Sequence, residues 1–503
     1  MNIKKRLVRN TVINYLSTFV DVGVGFVLLP FLLNIIGPEQ YGIYRLVLTL
    51  AGYLALMQIG VGTTTVKFVA QHLAKNEHQE INKLLTNSLL FYTGIGFIIC
   101  LFLIISAFYL IGYFNIPEEF LADARLTLII SGVFSLFLWP LILFRKVLGG
   151  MQEYILTSGY AIIFSVVRLC LIFYFLSEGG GIIALIIIYF TTQILQNLVY
   201  LIYVVKKLSF LKFGVELVSN ATYKKIFGFS WVLFAIQVCG MLIYQTDRIV
   251  LGVFLPISSL ALYEGPWKFH SLIRRMNGII SSAVIPATSS LDAMESKRKI
   301  KELFLRGNKY AVILILPLTI SIIMMAPYIV IYWLGSEYHG VIFATQLFVS
   351  YWLLNCSFSL SGAILIATNK MKYLLWYSIS VTLGNLIISI ILVNCLNNFI
   401  GVIWGTVIPY YIGYPVYLYF LLKLLKIPFS KFLNRVIIPT YPIATLPIIT
   451  GIALLKVHLP ANLLETGAYM IIITLSYWLI SYFVSFRKRE RDDLKQIVRS
   501  IVR

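Results

Sequence analysis

Nine charged side chains lie well inside otherwise apolar runs of this sequence. Arg45, Arg168, Arg248, Lys268, Arg274 and Arg275 are basic; Asp21, Asp247 and Glu264 are acidic. A charge near the centre of a bilayer costs at least about 2.5 to 3.5 kcal/mol even on lenient insertion scales, so such groups are kept where they face protein or water. Six cations against three anions leave the interior net cationic, and a cationic interior prefers an anionic ligand. Arginine adds geometry to charge: its planar fork holds two phosphate oxygens at once and keeps its proton, whereas lysine acts as a point charge. The chemistry on offer is recognition of phosphate or diphosphate. No G-x-x-x-x-G-K-[ST] loop occurs, so ATP hydrolysis by that device is excluded. The cysteines (Cys100, Cys170, Cys239, Cys356, Cys395) fall in or beside apolar runs at no metal-like spacing, so neither a disulfide nor a metal is assigned.

The run 258–289 is the most informative, because it contains YEGPWKFHSLIRRMNGII. At 100° per residue, Glu264, Lys268 and Arg275 fall within about 40° of one another, while Arg274 points about 100° from Arg275. Such a stripe marks a lumen-facing span and not a loop. A blander reading of two of these residues is mutual neutralisation of Glu264 and Lys268 at i, i+4 spacing; it leaves Arg275 unexplained. His270 lies about 200° from Lys268 and reads as a packed histidine. At about 1.5 Å per residue, Asp21 sits roughly 16 Å and Arg168 roughly 20 Å into their helices, both near mid-depth. Asp247 and Arg248 fall near the outer end of theirs, where an interfacial pair or a snorkelling arginine is an equally good reading.

The elements that must position these groups follow from composition. The chain has 503 residues, 59% hydrophobic and 12% charged, with mean hydropathy +0.88, against about 25% charged for a soluble domain. Apolar runs long enough to cross roughly 30 Å of hydrocarbon recur throughout. They predict an all-α integral membrane protein with about 14 spans: 11–36, 42–66, 84–112, 126–144, 155–176, 181–205, 228–255, 258–289, 310–334, 341–368, 373–393, 399–422, 433–455 and 466–486. With Arg435, at the very edge of run 433–455, counted on the cytoplasmic side, six of the 41 Lys and Arg lie within spans and two, Arg125 and Lys456, on outer loops, which leaves 33 on the cytoplasmic side. That asymmetry places both termini in the cytoplasm and accounts for the net charge of +21, with anionic lipid headgroups as neighbours and no call for nucleic acid. The first run carries Asp21 and lacks an A-x-A cleavage site, so it reads as a span and not as a signal peptide.

A faint internal echo divides the chain. LNIIGPEQYGIY (33–44) and LGVFLPISSLALY (251–263) each leave an odd-numbered span, turn at a proline and enter the next span at a tyrosine. Two parallel six-helix repeats follow: an N-lobe over 1–205, a cytoplasmic linker over 206–227 and a C-lobe over 228–431. Two further helices and a basic tail occupy 432–503. Facing lobes suggest alternating access to a central site.

GPEQYGIY (37–44), QIGVGTTTVK (58–67), FVAQHLA (68–74), TDRIVLG (246–252) and VIPATSSL (284–291) resemble the signatures of the polysaccharide transport family, the O-antigen type flippases of the multidrug/oligosaccharidyl-lipid/polysaccharide exporter superfamily. The resemblance covers most of the first twelve spans. It implies a transporter, not an enzyme, that moves undecaprenyl-diphosphate-linked oligosaccharide from the inner to the outer leaflet for capsule, exopolysaccharide or O-antigen synthesis. It further implies residence in the inner (cytoplasmic) membrane and polymerase or export machinery as partners. Substrate-binding roles are expected for Lys67, Arg168, Arg248, Lys268 and Arg275, and ion-coupling or counter-ion roles for Asp21, Asp247 and Glu264. Relatives often carry an acid at the position of Gln58, so proton coupling there is not carried over. No cofactor is expected; energy would come from an H+ or Na+ gradient or the membrane potential. In related lipid II flippases the last two helices help hold the lipid tail.

Three alternatives remain. A lipid II flippase shares the charge logic. A multidrug antiporter would need an acidic lumen, against the cationic interior. A membrane polymerase or glycosyltransferase would need a large catalytic loop, and the longest outer loop, near 115–125, has only about a dozen residues.

Overall fold

A computed structural model describes residues 3–58, 60–219, 231–294, 296–486, 488 and 490–492. The end of the basic linker (220–227), the start of the seventh run (228–230), Ile59 of the QIGVG motif and most of the basic tail lie outside the described residues.

Every described element is helical or a helical turn. α1 (Ile3–Leu54) is two spans joined through Gly37, whose φ of 78° only glycine adopts without strain. The apolar stretch Ile13–Tyr53 within it has 41 residues, about 62 Å of helix and so twice the thickness of the hydrocarbon. The chain continues through a tight turn, Ala55–Gln58, into α2 (Val61–Ala74), α3 (His78–Ile105), α4 (Glu118–Gly150), α5 (Tyr154–Ser177), α6 (Gly181–Lys207) and α7 (Trp231–Phe254). Then come α8 (Ser259–Ala293), α9 (Lys297–Leu334), α10 (Gly340–Ser350), α11 (Met371–Leu396), α12 (Ile400–Leu424), α13 (Thr445–Val457) and α14 (Leu463–Val484). Ten stretches among the described residues are long and apolar enough to cross a membrane. The chain is a multi-pass, all-α membrane protein.

Three of the expected spans are broken. Run 42–66 leaves α1 at Leu54, passes the tight turn Ala55–Gln58 and continues in α2 from Val61. Run 341–368 is α10 followed by short helical turns at Trp352–Asn355, Cys356–Phe358 and Ser361–Ala367. Run 433–455 opens on a wide turn, Leu433–Ile437, and a tight one, Pro442–Ala444, before α13 begins. Pro439 and Pro442 lack the N–H that a continuous ladder would use.

Contacts group the chain into two units, Met1–Ala261 and Leu262–Arg503. In the first, α3 packs on α4, α4 on α6, and α1 on both α5 and α7. The two echoed turns meet there: a Cβ on Gly42 would run into the Ile257 carbonyl, so close approach restricts that position to glycine. Asn115 reinforces the same end. Its N–H donates to Gly252 O at 3.0 Å, its carbonyl accepts from Ile257 N at 3.1 Å, and its side-chain amide donates to Val253 O at 2.8 Å.

The described part of the linker is pinned to α3. Asn82 Nδ2 donates to Phe210 O (3.2 Å) while its Oδ1 accepts from Lys212 N (3.2 Å). Asn87 does the same with Leu217 O (3.0 Å) and Ser219 N (3.1 Å), fully buried. Removing one partner of a buried hydrogen bond costs about 1 to 3 kcal/mol. Asn87→Ala, which strands two backbone groups, is therefore expected to lower the thermal unfolding midpoint of the detergent-purified protein, whereas Lys212→Ala, an exposed linker position, leaves it unchanged.

In the second unit α11 pairs with α12, and α13 and α14 dock on α9. Tyr332 Oη donates to Pro460 O (2.7 Å) and Trp478 Nε1 to Ile313 O (2.9 Å). α14 starts where Asn462 Oδ1 accepts from Glu465 N (2.9 Å), and Glu465 reaches back to Ala461 N (2.8 Å).

Candidate functional site

The first unit carries Asp21 on α1, Arg168 on α5, and Asp247 and Arg248 on α7. Packing of α1 on α5 brings Asp21 and Arg168 together, with Nη2 to Oδ1 at 3.7 Å. Arg168 is largely shielded (13% exposed), Asp21 half-open (49%). The guanidinium also lies 3.5 Å from Ser165 Oγ, one turn back, and 5.6 Å over the Tyr189 ring on α6. A cation over an aromatic face is held without being neutralised. The result is a mid-helix cation, fixed in direction, beside an accessible carboxylate.

Asp247 and Arg248, on α7, are enclosed by protein. They are 0% and 2% exposed, and Arg248 turns back into the protein, with Nη1 donating to Tyr244 O at 2.9 Å and to Gln245 Oε1 at 3.4 Å. Snorkelling is excluded because the side chain never reaches a surface. One residue away, Thr246 shares a 2.7 Å hydrogen bond with Tyr53. Lys67 on α2 is exposed, with Nζ 5.4 Å from the centre of the Phe68 ring.

The second unit carries the α8 stripe. Glu264 is buried at 1% exposure, Lys268 half-buried and Arg275 exposed. The stripe thus runs from protein interior to open face along one helix. Arg274, expected to point elsewhere, is exposed as well, since an exposed face wider than 100° takes in both. His270 is packed: its ring stacks 4.5 Å from Phe348, and Trp352 Nε1 donates to its Nδ1 at 3.1 Å.

Sequence reasoning missed Tyr189, Ser165, Tyr53 and Gln245, which surround the charges. Aromatic and hydroxyl side chains are common in membrane helices, and only the packing of α5 on α6 and of α1 on α7 singles these out. Chemically, the two charged faces can bind and release an anion.

The family model described as "Polysaccharide biosynthesis protein" matches residues 7–292. The "Probable flippase AglR" of Haloferax volcanii is 22% identical over 323 residues, 62% of this chain and 61% of that protein. A "Putative O-antigen transporter" of Shigella flexneri is 23% identical over 342 residues, 66% of this chain and 78% of that one. Among solved structures, "Lipid II flippase MurJ, inward closed conformation" superposes with a TM-score of 0.70 at 16% identity, covering 98% of this chain and all of that one. At that identity the match establishes the fold.

Proposed function

We propose, from the premise that this chain belongs to the polysaccharide biosynthesis protein family, that it is a flippase. It moves an undecaprenyl-diphosphate-linked oligosaccharide from the inner to the outer leaflet by alternating access, in capsule, exopolysaccharide or O-antigen assembly. The basic loops support residence in the cytoplasmic membrane with both termini inside, from where it would hand its cargo to polymerase or export machinery. An ion gradient or the membrane potential drives it.

The observation that carries this reading is Arg168. Its fork is held by Ser165 and Tyr189, and its Asp21 contact is long at 3.7 Å. A diphosphate is a doubly anionic, bidentate partner for such a fork, so it outcompetes one loosely placed carboxylate, and Asp21 takes the arginine back on release. On α8, Arg275 offers a second fork and Lys268 a point charge, with Glu264 as counter-ion; on α7, Arg248 and Asp247 stand in the same relation, and Lys67 adds charge on α2.

The test is binding by the purified protein of the diphosphate-linked glycan lipid against the same glycan on uncharged polyprenol. Arg168→Ala is expected to weaken the former roughly tenfold or more, since a charge-assisted hydrogen bond contributes about 1.5 to 3 kcal/mol, and Arg168→Lys to recover part of it. Equal affinity for the two lipids would refute the reading. Tighter binding of lipid II than of the glycan lipid would reassign the cargo to peptidoglycan.

A further inference from the structure

An apolar groove lies along the α11/α12 pair, and none of the charged residues discussed above lines it. Its volume is about 590 Å³. Ser380, Gly384, Pro409 and Gly413 are its small lining residues, and aromatic side chains, Trp376 and Phe420 among them, flank it. The lining positions recur at i, i+3, i+4 and i+7 on both helices, from Tyr373 to Ile388 and from Pro409 to Leu424. Fifteen residues of helix make about 22 Å, more than half of a hydrocarbon core of roughly 30 Å. The groove therefore spans the thickness of one leaflet.

Charge selects which leaflet and which occupant. Lys372 immediately precedes the lining residue Tyr373, and Lys423 immediately precedes Leu424; Lys370 and Lys426 stand just beyond, all four exposed. Lys301 joins the same end, donating to Lys426 O at 3.2 Å. No Asp or Glu occurs anywhere from 338 to 464. Glu302, next to Lys301, is engaged by Arg306 (2.6 Å) and Arg435 (3.7 Å). A slot for one hydrocarbon chain that opens among lysines, with Tyr373 and Trp376 at belt depth, has the form of a lipid site with an anionic headgroup.

We infer that this groove binds one anionic glycerophospholipid of the cytoplasmic leaflet, an acyl chain lying between α11 and α12 and the phosphate among Lys370, Lys372 and Lys423. The site is independent of cargo transport, and none of these residues belongs to the transport machinery proposed above.

Native mass spectrometry of the full chain, purified in mild detergent and offered phosphatidylglycerol or phosphatidylcholine, tests it. Wild type is expected to retain one phosphatidylglycerol in preference to phosphatidylcholine. Neutralising the lysines (Lys370→Gln, Lys372→Gln, Lys423→Gln) should erode that preference roughly fivefold per lysine. Filling the groove with Val416→Trp, or with Ile412→Trp should the first fail to fold, should abolish retention of either lipid. Equal retention of the two phospholipids by wild type, or undiminished retention in the groove-filled variants, would overturn the inference. Displacement of phosphatidylglycerol by undecaprenyl diphosphate would overturn the choice of occupant and assign the groove to the cargo's tail.

Discussion

Arg275→Ala is expected to abolish glycan export in cells that hold normal amounts of the protein, while Arg275→Lys keeps part of it. Arg275 stands at the exposed end of the α8 stripe, eleven residues beyond the buried Glu264, so its guanidinium meets whatever occupies the open face. Alanine removes charge and fork together; lysine restores charge without bidentate geometry. Losing one or two charge-assisted hydrogen bonds at about 1.5 to 3 kcal/mol each corresponds to tenfold or more in occupancy. Lys299→Ala provides the control. Lys299 is equally exposed and equally basic, but lies in the first turn of α9, off the α8 stripe, and little change is expected. Normal export by Arg275→Ala would remove the stripe from the cargo path.

The second large effect is on stability. Lys309 on α9 and Glu490 are buried at 6% and 4% exposure, with Nζ 2.6 and 2.8 Å from the carboxylate oxygens. Lys309 also donates to Ser485 O (3.2 Å), Tyr310 Oη donates to Glu490 (3.1 Å), and the Phe486 ring stacks on Tyr310 at 5.6 Å. The pair ties the chain after α14 to the start of α9. Leaving one buried charge without its partner costs about 3 to 5 kcal/mol, whereas replacing both by apolar residues of similar volume is close to neutral. Glu490→Ala and Lys309→Ala are each expected to lower the unfolding midpoint in detergent sharply, and Lys309→Met combined with Glu490→Leu to restore most of it. Additive losses in the double variant would show that the two side chains act separately.

This pair was invisible in the sequence for a physical reason. Its partners are 181 residues apart, and Glu490 lies in a segment whose basic composition reads as a solvated tail. The linker clamp escaped likewise: composition marks 206–219 as a connector, but only the packed structure shows Asn82 and Asn87 holding its backbone. Hydropathy, by contrast, made the helices legible, because a span must be about 20 residues long and apolar. It also located the break at Gly37, where a proline and two glycines interrupt the run. Depth along a helix was legible for Asp21 and Arg168, while their meeting required the packing of α1 on α5. For Asp247 and Arg248 position along the helix did not reveal burial, since a residue near a helix end is still enclosed when neighbouring helices cover it.

Translocation in proteoliposomes bears most directly on the cargo. Undecaprenyl-diphosphate-linked oligosaccharide is placed in one leaflet, and its appearance in the other is followed with an impermeant glycan-cleaving enzyme or lectin. Vesicles holding the wild-type chain are expected to move the lipid, and those holding Arg168→Ala or Arg275→Ala to lag far behind. Movement in the variants at the wild-type rate, or none with the wild type under an imposed ion gradient and membrane potential, would contradict a flippase that grips the diphosphate through these arginines.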